Sequence, residues 1–492
     1  AADFGSAIRR FESYRPSHEQ QTGAVSRTER VPMSATALIL AAGEGTRMKS
    51  SLPKVAHRIL GVPIVSFVVD AARSAGSERI VVVTGHGADA VEALLADAGV
   101  TFARQEQQLG TGHAVMCAED ALGAVDGSLL VLAGDCPLLT AETLIALITA
   151  RDEAGAACSV LTARLDDPSG YGRIVRSADG SLAAIVEDKD LEPGQRGIDE
   201  VNTSTYCFDA RTLFAHLHRV RNENAQGEYS LTDMVGLFRD EGLPVVAVEA
   251  TDPAEALGVN SRVQLAEAAA VLQQRINERH MLAGVTMTDP GLVWVGPHVE
   301  IARDTVLEPM TFLMGTTRVG EGCVIGPDSR VTDSVVGAGC AIDSSIVVES
   351  ALAERVSVGP RAYLRPGTDM ASGSKAGTSV EIKNSRIGEA SKVPHLSYIG
   401  DADVGAGVNI GAGTITCNYD GVRKHRTVIG DGAFIGSDTM LVAPVEVGPG
   451  AVTGAGSAIS HDVPADALAV ERTEQRTVDG WAARRRAEAG DD

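Results

Sequence analysis

Apolar residues along the chain follow two different rhythms. In the first half, short continuous apolar runs alternate with helically spaced ones. Ala37 to Leu40 reads as a buried strand, as do Ile80 to Val83 and Leu129 to Leu132. Between the last two, Val91, Leu94, Leu95 and Ala98 recur at helical spacing over Ala88 to Ala98. Strand–helix–strand alternation predicts a parallel sheet covered by helices, with ligands at the carboxyl ends of the strands. After Pro168 the pattern shortens. Gly170-Tyr171-Gly172-Arg173-Ile174, Ile185-Val186-Glu187 and Glu200-Val201-Asn202 read as strands and turns laid over that sheet, and Gly258-Val259-Asn260 closes the domain. Ser261 and Gln264 then form a capping-box pattern, and Leu265, Ala269, Leu272 and Ile276 continue one helix to a stop at Gly284.

From about Val295 the period changes to six. Val319, Ile325 and Val331 obey it, as do Ile387, Val393 and Ile399, then Ile429, Ile435 and Leu441, many of them followed by glycine. A fixed six-residue repeat predicts a parallel β-helix with one aliphatic side chain per face filling its core. The rhythm breaks from Thr416 to Arg426, where an insertion predicts an external loop of the kind that binds ligands. The expected organisation is an N-terminal extension (1–33, disordered, with Met33 a candidate start), an α/β domain (34–262), a linker helix (263–283), a β-helix (284–470) and a tail (471–492). The arginines of that tail read as a solvated end.

Length and charge narrow the function. A chain of 492 residues with 44% hydrophobic residues suffices for more than one core, and a net charge of −22 argues against nucleic acid and anionic membranes as partners. No apolar run approaches the roughly 18 residues of a membrane span. The seven cysteines show no C-x-x-C spacing and read as free thiols of a reducing cytoplasm.

The first strand runs into Leu40-Ala41-Ala42-Gly43-Glu44-Gly45-Thr46-Arg47-Met48, with Leu52-Pro53-Lys54 shortly after. Glycines let backbone N–H groups approach phosphate oxygens, and cations neutralise them. Met48 stands where a dinucleotide fingerprint needs its third glycine, and no Gly-Lys-Ser/Thr closes a Walker A loop. A triphosphate reached by Arg47 and Lys54 is the remaining picture. Taken alone, the loop also reads as an ordinary tight turn, and Asp135 after Gly134 likewise.

These stretches together resemble a known family. The glycine loop, Gln108-Leu109-Gly110-Thr111-Gly112-His113-Ala114, Gly134-Asp135, Gly170 to Arg173, Lys392 to Asp401 and Gly411 to Gly421 are similar to motifs of the bacterial bifunctional N-acetylglucosamine-1-phosphate uridyltransferase/glucosamine-1-phosphate acetyltransferases. The resemblance runs from about Thr36 to Trp481. It implies an α/β fold with a Rossmann-like nucleotidyltransferase domain, a linking helix and a left-handed parallel β-helix of hexapeptide repeats, assembled as a homotrimer in the cytoplasm. The implied chemistry is acetyl transfer from acetyl-CoA to glucosamine-1-phosphate, then uridylyl transfer from UTP to N-acetylglucosamine-1-phosphate. The product, UDP-N-acetylglucosamine, feeds peptidoglycan synthesis.

Carried over residue by residue, the resemblance implies that Leu40, Ala41, Ala42 and Gly43 hold the nucleotide through their main chain while Arg47 and Lys54 face its phosphates. Gln105, Gly110 and Thr111 match uracil and ribose contacts; Gly172, Glu187 and Asn202 match sugar contacts; Asp135 and Asn260 match ligands of Mg²⁺, a hard ion suited to few protein oxygens. For acetyl transfer, the attacking ammonium must first lose a proton, and His395 is the implied base. Arg365 and Lys383 match contacts to the sugar phosphate, with Tyr398 and Asn409 placing the sugar. Ala412, Asn418, Tyr419, Ser437, Ala455 and Arg472 match acetyl-CoA contacts. Two positions depart from the family: Ser204 stands where it usually has glycine, and Ser379 where it usually has an aromatic. Alternative readings are a sugar-nucleotide pyrophosphorylase whose coil is only an oligomerisation scaffold, and a non-enzymatic nucleotide-sugar sensor. His395, Lys383 and the Asn418-Tyr419 loop count against the first; Arg47, Lys54, Asp135 and Asn260 count against the second.

Overall fold

The computed structural model describes residues 35–224 and 226–489, so the expected extension over 1–33 lies outside the described residues. The described residues divide between Arg275 and Ile276 into two compact units.

The first unit is built on one mixed sheet. Its strands, numbered here along the chain, are β1 (Ala35–Ala41), β2 (Ser77–Thr84), β3 (Thr101–Arg104), β4 (Ser128–Ala133), β5 (Cys158–Arg164), β6 (Arg173–Arg176), β7 (Leu182–Val186), β8 (Glu200–Asp209) and β9 (Val245–Glu249). The main order is β9-β5-β8-β4-β1-β2-β3, with the β6–β7 hairpin attached beside β8. β1 lies in the middle, parallel to both β2 and β4. Its alternate side chains serve two cores. Ala37 and Ile39 pack with Val65 and Val68 of helix Ile64–Ser74 and with Leu144 and Leu147 of helix Ala141–Ala154. Leu38 packs on the other face with Val115, Phe208 and Phe238. A strand buried on both faces must be apolar throughout, which is why it is legible as an unbroken run.

The sheet departs from the all-parallel expectation at β8, which runs antiparallel to both β4 and β5. The reason is local. Glu200 pairs with Arg164, so the excursion between β5 and β8 leaves and re-enters the sheet at the same end of the strands, and the returning strand must run backwards. Glu200 to Asn202 therefore belongs to the main sheet rather than lying over it.

Helix Arg262–Leu282 follows. The Ser261 hydroxyl accepts from the Gln264 N–H at 3.2 Å, whereas the Gln264 side chain accepts from the N–H of Asn260, not of Ser261, at 2.9 Å. The box thus reaches one residue further back and ties down Asn260. The helix stops at Gly284, whose φ of +97° suits a residue without Cβ.

The second unit is a three-sided coil of parallel sheets with 11, 10 and 9 strands. Strands pair with the third strand after them, so one turn contributes one strand to each side, until Val452–Thr453 pairs with the second strand on, Leu468–Ala469. The six-spaced aliphatics point inward: Ile325, Val331, Ile387, Val393, Ile399 and Leu441 are all fully buried. Five sides are one residue short: Val331 to Val336, Ile342 to Val347, Val347 to Leu352, Ile382 to Ile387 and Ile399 to Val404. Each contains one residue in left-handed conformation, Asp333, Ser344, Glu349, Asn384 and Asp401, with φ between 43° and 52°. A tighter corner absorbs the missing residue, so the core register survives. The tail forms helix Trp481–Glu488, and every described residue from Glu471 onward is exposed.

Ser204 is also left-handed, at φ +58°, and Ser379 at +55°. The missing glycine at 204 thus costs backbone strain, whereas Ser379 sits on a coil corner between Arg361 and Leu396, two further left-handed residues, where the side chain is not part of the core.

Ile399→Ala should destabilise the coil by about 2–5 kcal/mol in denaturant unfolding, because neighbouring turns cannot collapse into the space. Ser204→Gly should raise stability by up to about 1 kcal/mol in thermal unfolding, the left-handed penalty of a Cβ less the added freedom of the unfolded chain.

Candidate active sites

At the carboxyl end of β1 the chain turns through Ala42 and Gly43. A Cβ on Gly43 would meet nothing within 4 Å, so this backbone is open to a ligand on one side. Gly45 is closed: a Cβ there would come 2.7 Å from Lys54 Cβ. The glycine is needed because Lys54 crosses the loop at that point and runs inward. Its ammonium lies 2.5 Å from Asp135 Oδ2 and 2.9 Å from Asn260 Oδ1. Lys54 thus pairs here with the carboxylate instead of facing the open loop, since Asp135 is the nearest negative charge. Arg47 is exposed on the same cavity, which Asp135, Gly172, Glu187, Asn202 and Asn260 also line.

The Lys54 ammonium is informative about cations. One carboxylate oxygen and one amide oxygen, from segments far apart in sequence, converge on a single positive centre. The Asn260 amide nitrogen is turned away, 3.3 Å from the Gly258 carbonyl, which fixes the oxygen toward the cation. A Cβ on Gly258 would stand 3.5 Å from Asp135 Oδ2 and narrow the same space. Two hard oxygens on an open cavity fit a divalent cation that completes its shell with water and phosphate oxygens.

The sugar side carries a group that burial perturbs. Desolvation, then the carboxylates of Asp233 and Asp190, hold the Glu187 carboxyl above the usual glutamate range, although the Thr232 hydroxyl donates to it at 3.2 Å. Asn202 is held at both ends, donating to the Tyr206 hydroxyl at 2.8 Å and accepting from the Ser204 N–H at 3.2 Å. Gln105 follows β3 beside the glycine loop, and Gly110 precedes helix Thr111–Cys117. The Thr111 hydroxyl is already engaged, accepting from the Leu231 N–H at 3.0 Å.

In the coil, the residues expected at acetyl-CoA align on one corner of successive turns. The Gly413 N–H reaches the His395 carbonyl at 3.3 Å, the Asp438 N–H reaches Ala412 at 2.7 Å, and the Gly456 N–H reaches Ser437 at 2.8 Å. Arg472 donates to the Ala455 carbonyl at 3.0 Å. The column needs glycines because turns approach closely: a Cβ on Gly411 would meet the Ser437 nitrogen at 2.4 Å, and one on Gly436 the Ala455 nitrogen at 2.6 Å. The backbone of His395 is pinned while its side chain is exposed. Asn409 is its neighbour on the same side, paired with Lys392.

The adjoining side gathers cations. Arg365 pairs with Glu381 at 2.8 Å and lies over the Tyr363 ring. Lys383 meets Lys424, and that second ammonium, with a smaller contribution from burial, holds Lys383 below the usual lysine range. Two like charges held together invite an anion. Tyr398 folds over Gly400, where a Cβ would come 2.3 Å from its hydroxyl, and Asn418 bonds to Asp401. Lys424 escaped the sequence reading. The basic run Arg423-Lys424-His425-Arg426 inside the insertion was the available signal. That insertion is a folded loop rather than slack chain. Tyr419 bridges back to Lys424, and backbone N–H groups with His425 pull the Asp420 carboxyl down to about 2.

Comparison with known proteins agrees with this division. Residues 37–235 match the MobA-like NTP transferase domain, and residues 426–461 match the bacterial transferase hexapeptide of six repeats. The three parallel sheets extend that hexapeptide pattern, the signature of a left-handed β-helix, from Thr286 to Ala469. The chain is 52% identical over 450 residues to the bifunctional protein GlmU of Heliobacterium modesticaldum, covering 92% of this chain and 98% of the relative. It is 53% identical over 439 residues to that of Brevibacillus brevis, covering 89% and 95%. It is 50% identical over 456 residues to that of Streptomyces coelicolor, covering 92% and 95%. Similarity of this depth, spanning both units in the same order, means that the chain belongs to the bifunctional GlmU family.

Proposed function

We propose that the chain makes UDP-N-acetylglucosamine for peptidoglycan synthesis by two successive transfers, with the residues described above in named roles. One observation carries the reading: each unit holds its own convergent charged cluster, Lys54–Asp135–Asn260 in the first and Arg365–Lys383–Lys424 in the second.

In the coil, His395 takes the proton that the amine of glucosamine-1-phosphate loses as it attacks the acetyl-CoA thioester. Arg365, Lys383 and Lys424 hold the phosphate, and Tyr398 and Asn409 orient the sugar. Asn418, Tyr419 and the Ala412–Ser437–Ala455 corner, with Arg472, bind acetyl-CoA. In the first unit, the sugar phosphate attacks the α-phosphorus of UTP and pyrophosphate leaves. Leu40 to Gly43, Gln105, Gly110 and Thr111 hold the nucleotide. Gly172, Glu187 and Asn202 hold the sugar, and Arg47 and Lys54 neutralise phosphate charge. Asp135 and Asn260 hold Mg²⁺, which when bound neutralises phosphate oxygens and aligns them. Lys54 then exchanges the carboxylate for phosphate.

The assembly is a homotrimer. One outward column of the 10-stranded sheet runs through Trp294, Phe312, Arg330, Ile346, Tyr363, Glu381, Tyr398 and Ile415, a largely apolar surface with one residue of each charge that a second copy would cover. Among the described residues no helix is long and apolar enough to cross a membrane, and all seven cysteines are free. Both features suit a cytoplasmic enzyme.

His395→Ala should lower CoA release from acetyl-CoA and glucosamine-1-phosphate by about 10²–10⁴-fold, the usual worth of a general base. Uridylyl transfer from pre-acetylated sugar should persist, and loss of both would contradict separate sites. Asp135→Ala should do the reverse, slowing Mg²⁺-dependent uridylyl transfer on the order of 10²-fold or more. Unchanged pyrophosphate release would remove Asp135 from the metal site.

A further inference from the structure

His113 lies in the Gly110-to-Ala114 run yet has no part in the chemistry above. It faces Gln105, which is only 3% exposed. Gln105 Nε2 is 3.0 Å from the Gly110 carbonyl oxygen and 3.0 Å from His113 Nδ1. A carbonyl oxygen only accepts, so the Gly110 contact establishes which end of the carboxamide is nitrogen. One amide hydrogen goes to Gly110. The other points at His113 Nδ1, which therefore carries a lone pair, leaving the ring proton on Nε2. Cys117 Sγ sits 3.7 Å from that Nε2, one helical turn further on.

The surroundings hold this arrangement in place. The Tyr229 carbonyl accepts from the Gly112 N–H at 2.7 Å, and its ring stands over His113 with centroids 6.4 Å apart. A Cβ on Gly110 would come 2.6 Å from the same carbonyl. Gln105 itself adjoins the nucleotide loop: a Cβ on Gly85 would lie 2.9 Å from Ala42 O and 3.0 Å from Gln105 O. Both amide hydrogens of Gln105 are spent on the protein, and among the described residues no donor reaches its Oε1.

We infer that His113 is a positioning residue for base selection. By accepting the second amide hydrogen it locks Gln105 with Oε1 free for the base. The pocket then suits a pyrimidine whose ring nitrogen carries a hydrogen, as in uracil, and opposes one that presents a lone pair there, as in cytosine. This inference rests on the placement of Gln105 at the base. Without an acceptor at position 113, one amide hydrogen loses its partner, and the Gly110 carbonyl alone is left to oppose the flipped carboxamide with Nε2 toward the base. That orientation favours cytosine.

The test is steady-state nucleotidyl transfer to N-acetylglucosamine-1-phosphate with UTP and with CTP. The full chain is compared with Gln105→Ala, His113→Leu and His113→Asn, and acetyl transfer by the same samples serves as a concentration control. Expected for His113→Leu is a UTP KM raised about fivefold, the worth of one neutral hydrogen bond, with kcat kept and the UTP-over-CTP preference reduced. His113→Asn should restore both, because Asn Oδ1 can stand where His Nδ1 stands. A parent-like KM and preference in His113→Leu, alongside a raised KM in Gln105→Ala, would overturn the role of His113 alone. An unchanged UTP KM in Gln105→Ala would overturn the placement of Gln105 and this inference with it. An equal loss with both nucleotides, unrescued by asparagine, would make His113 a packing residue and overturn the inference.

Discussion

The first unit depends on one cation held between two oxygens. Lys54 joins the loop after β1, Asp135 at the end of β4, and Asn260 just before the long helix. Both side chains of the ion pair are mostly buried, at 16% and 15% exposure, so losing either partner would strand a charge at a cost of about 3–5 kcal/mol. Several backbone features follow from this knot. Gly45 has no Cβ because Lys54 passes there, and the helix cap reaches back to Asn260. The same convergence that steadies the protein sets two hard oxygens on an open cavity, so under the proposed function stability and chemistry would draw on the same three side chains.

The coil solves a different problem. Its core needs only one aliphatic residue per side, and parallel ladders carry that register from turn to turn. The proposed function uses one corner and one insertion of the coil. At the corner, glycines at 411 and 436 let turns approach closely, and the resulting column offers backbone to a long, thin ligand such as acetyl-CoA. The insertion brings Lys424 against Lys383, a repulsive pair that a solvated surface would avoid and that a bound phosphate would relieve.

Local departures from the family pattern divide by backbone. Ser204 and Ser379 share a left-handed conformation, and the first lines the cavity that Arg47, Asp135 and Asn260 share. Its Asn202 neighbour accepts the Ser204 N–H, so the turn that places Asn202 persists despite the Cβ. A substitution that breaks a local rule is thus absorbed by the side chain next to it.

The sequence by itself determined whatever depends on period or on local geometry. The apolar run of β1, the helix over Arg262–Leu282 with its cap at Ser261, and the six-residue core positions of the coil are properties of neighbouring residues, and burial repeats at the spacing the backbone imposes. The glycine loop, Asp135 and His395 were singled out by motifs, and the roles given to them are the proposal made above. Tertiary structure alone decided the rest. β8 runs backwards because its excursion returns to the end of the strands that it left. Lys424 matters because a loop folds it onto a lysine 41 positions earlier in the chain (424 less 383). Gln105 presents an oxygen because Gly110 and His113 take its hydrogens. Each is a relation between groups distant in sequence or a choice between two orientations of one side chain, and no periodicity along the chain encodes either.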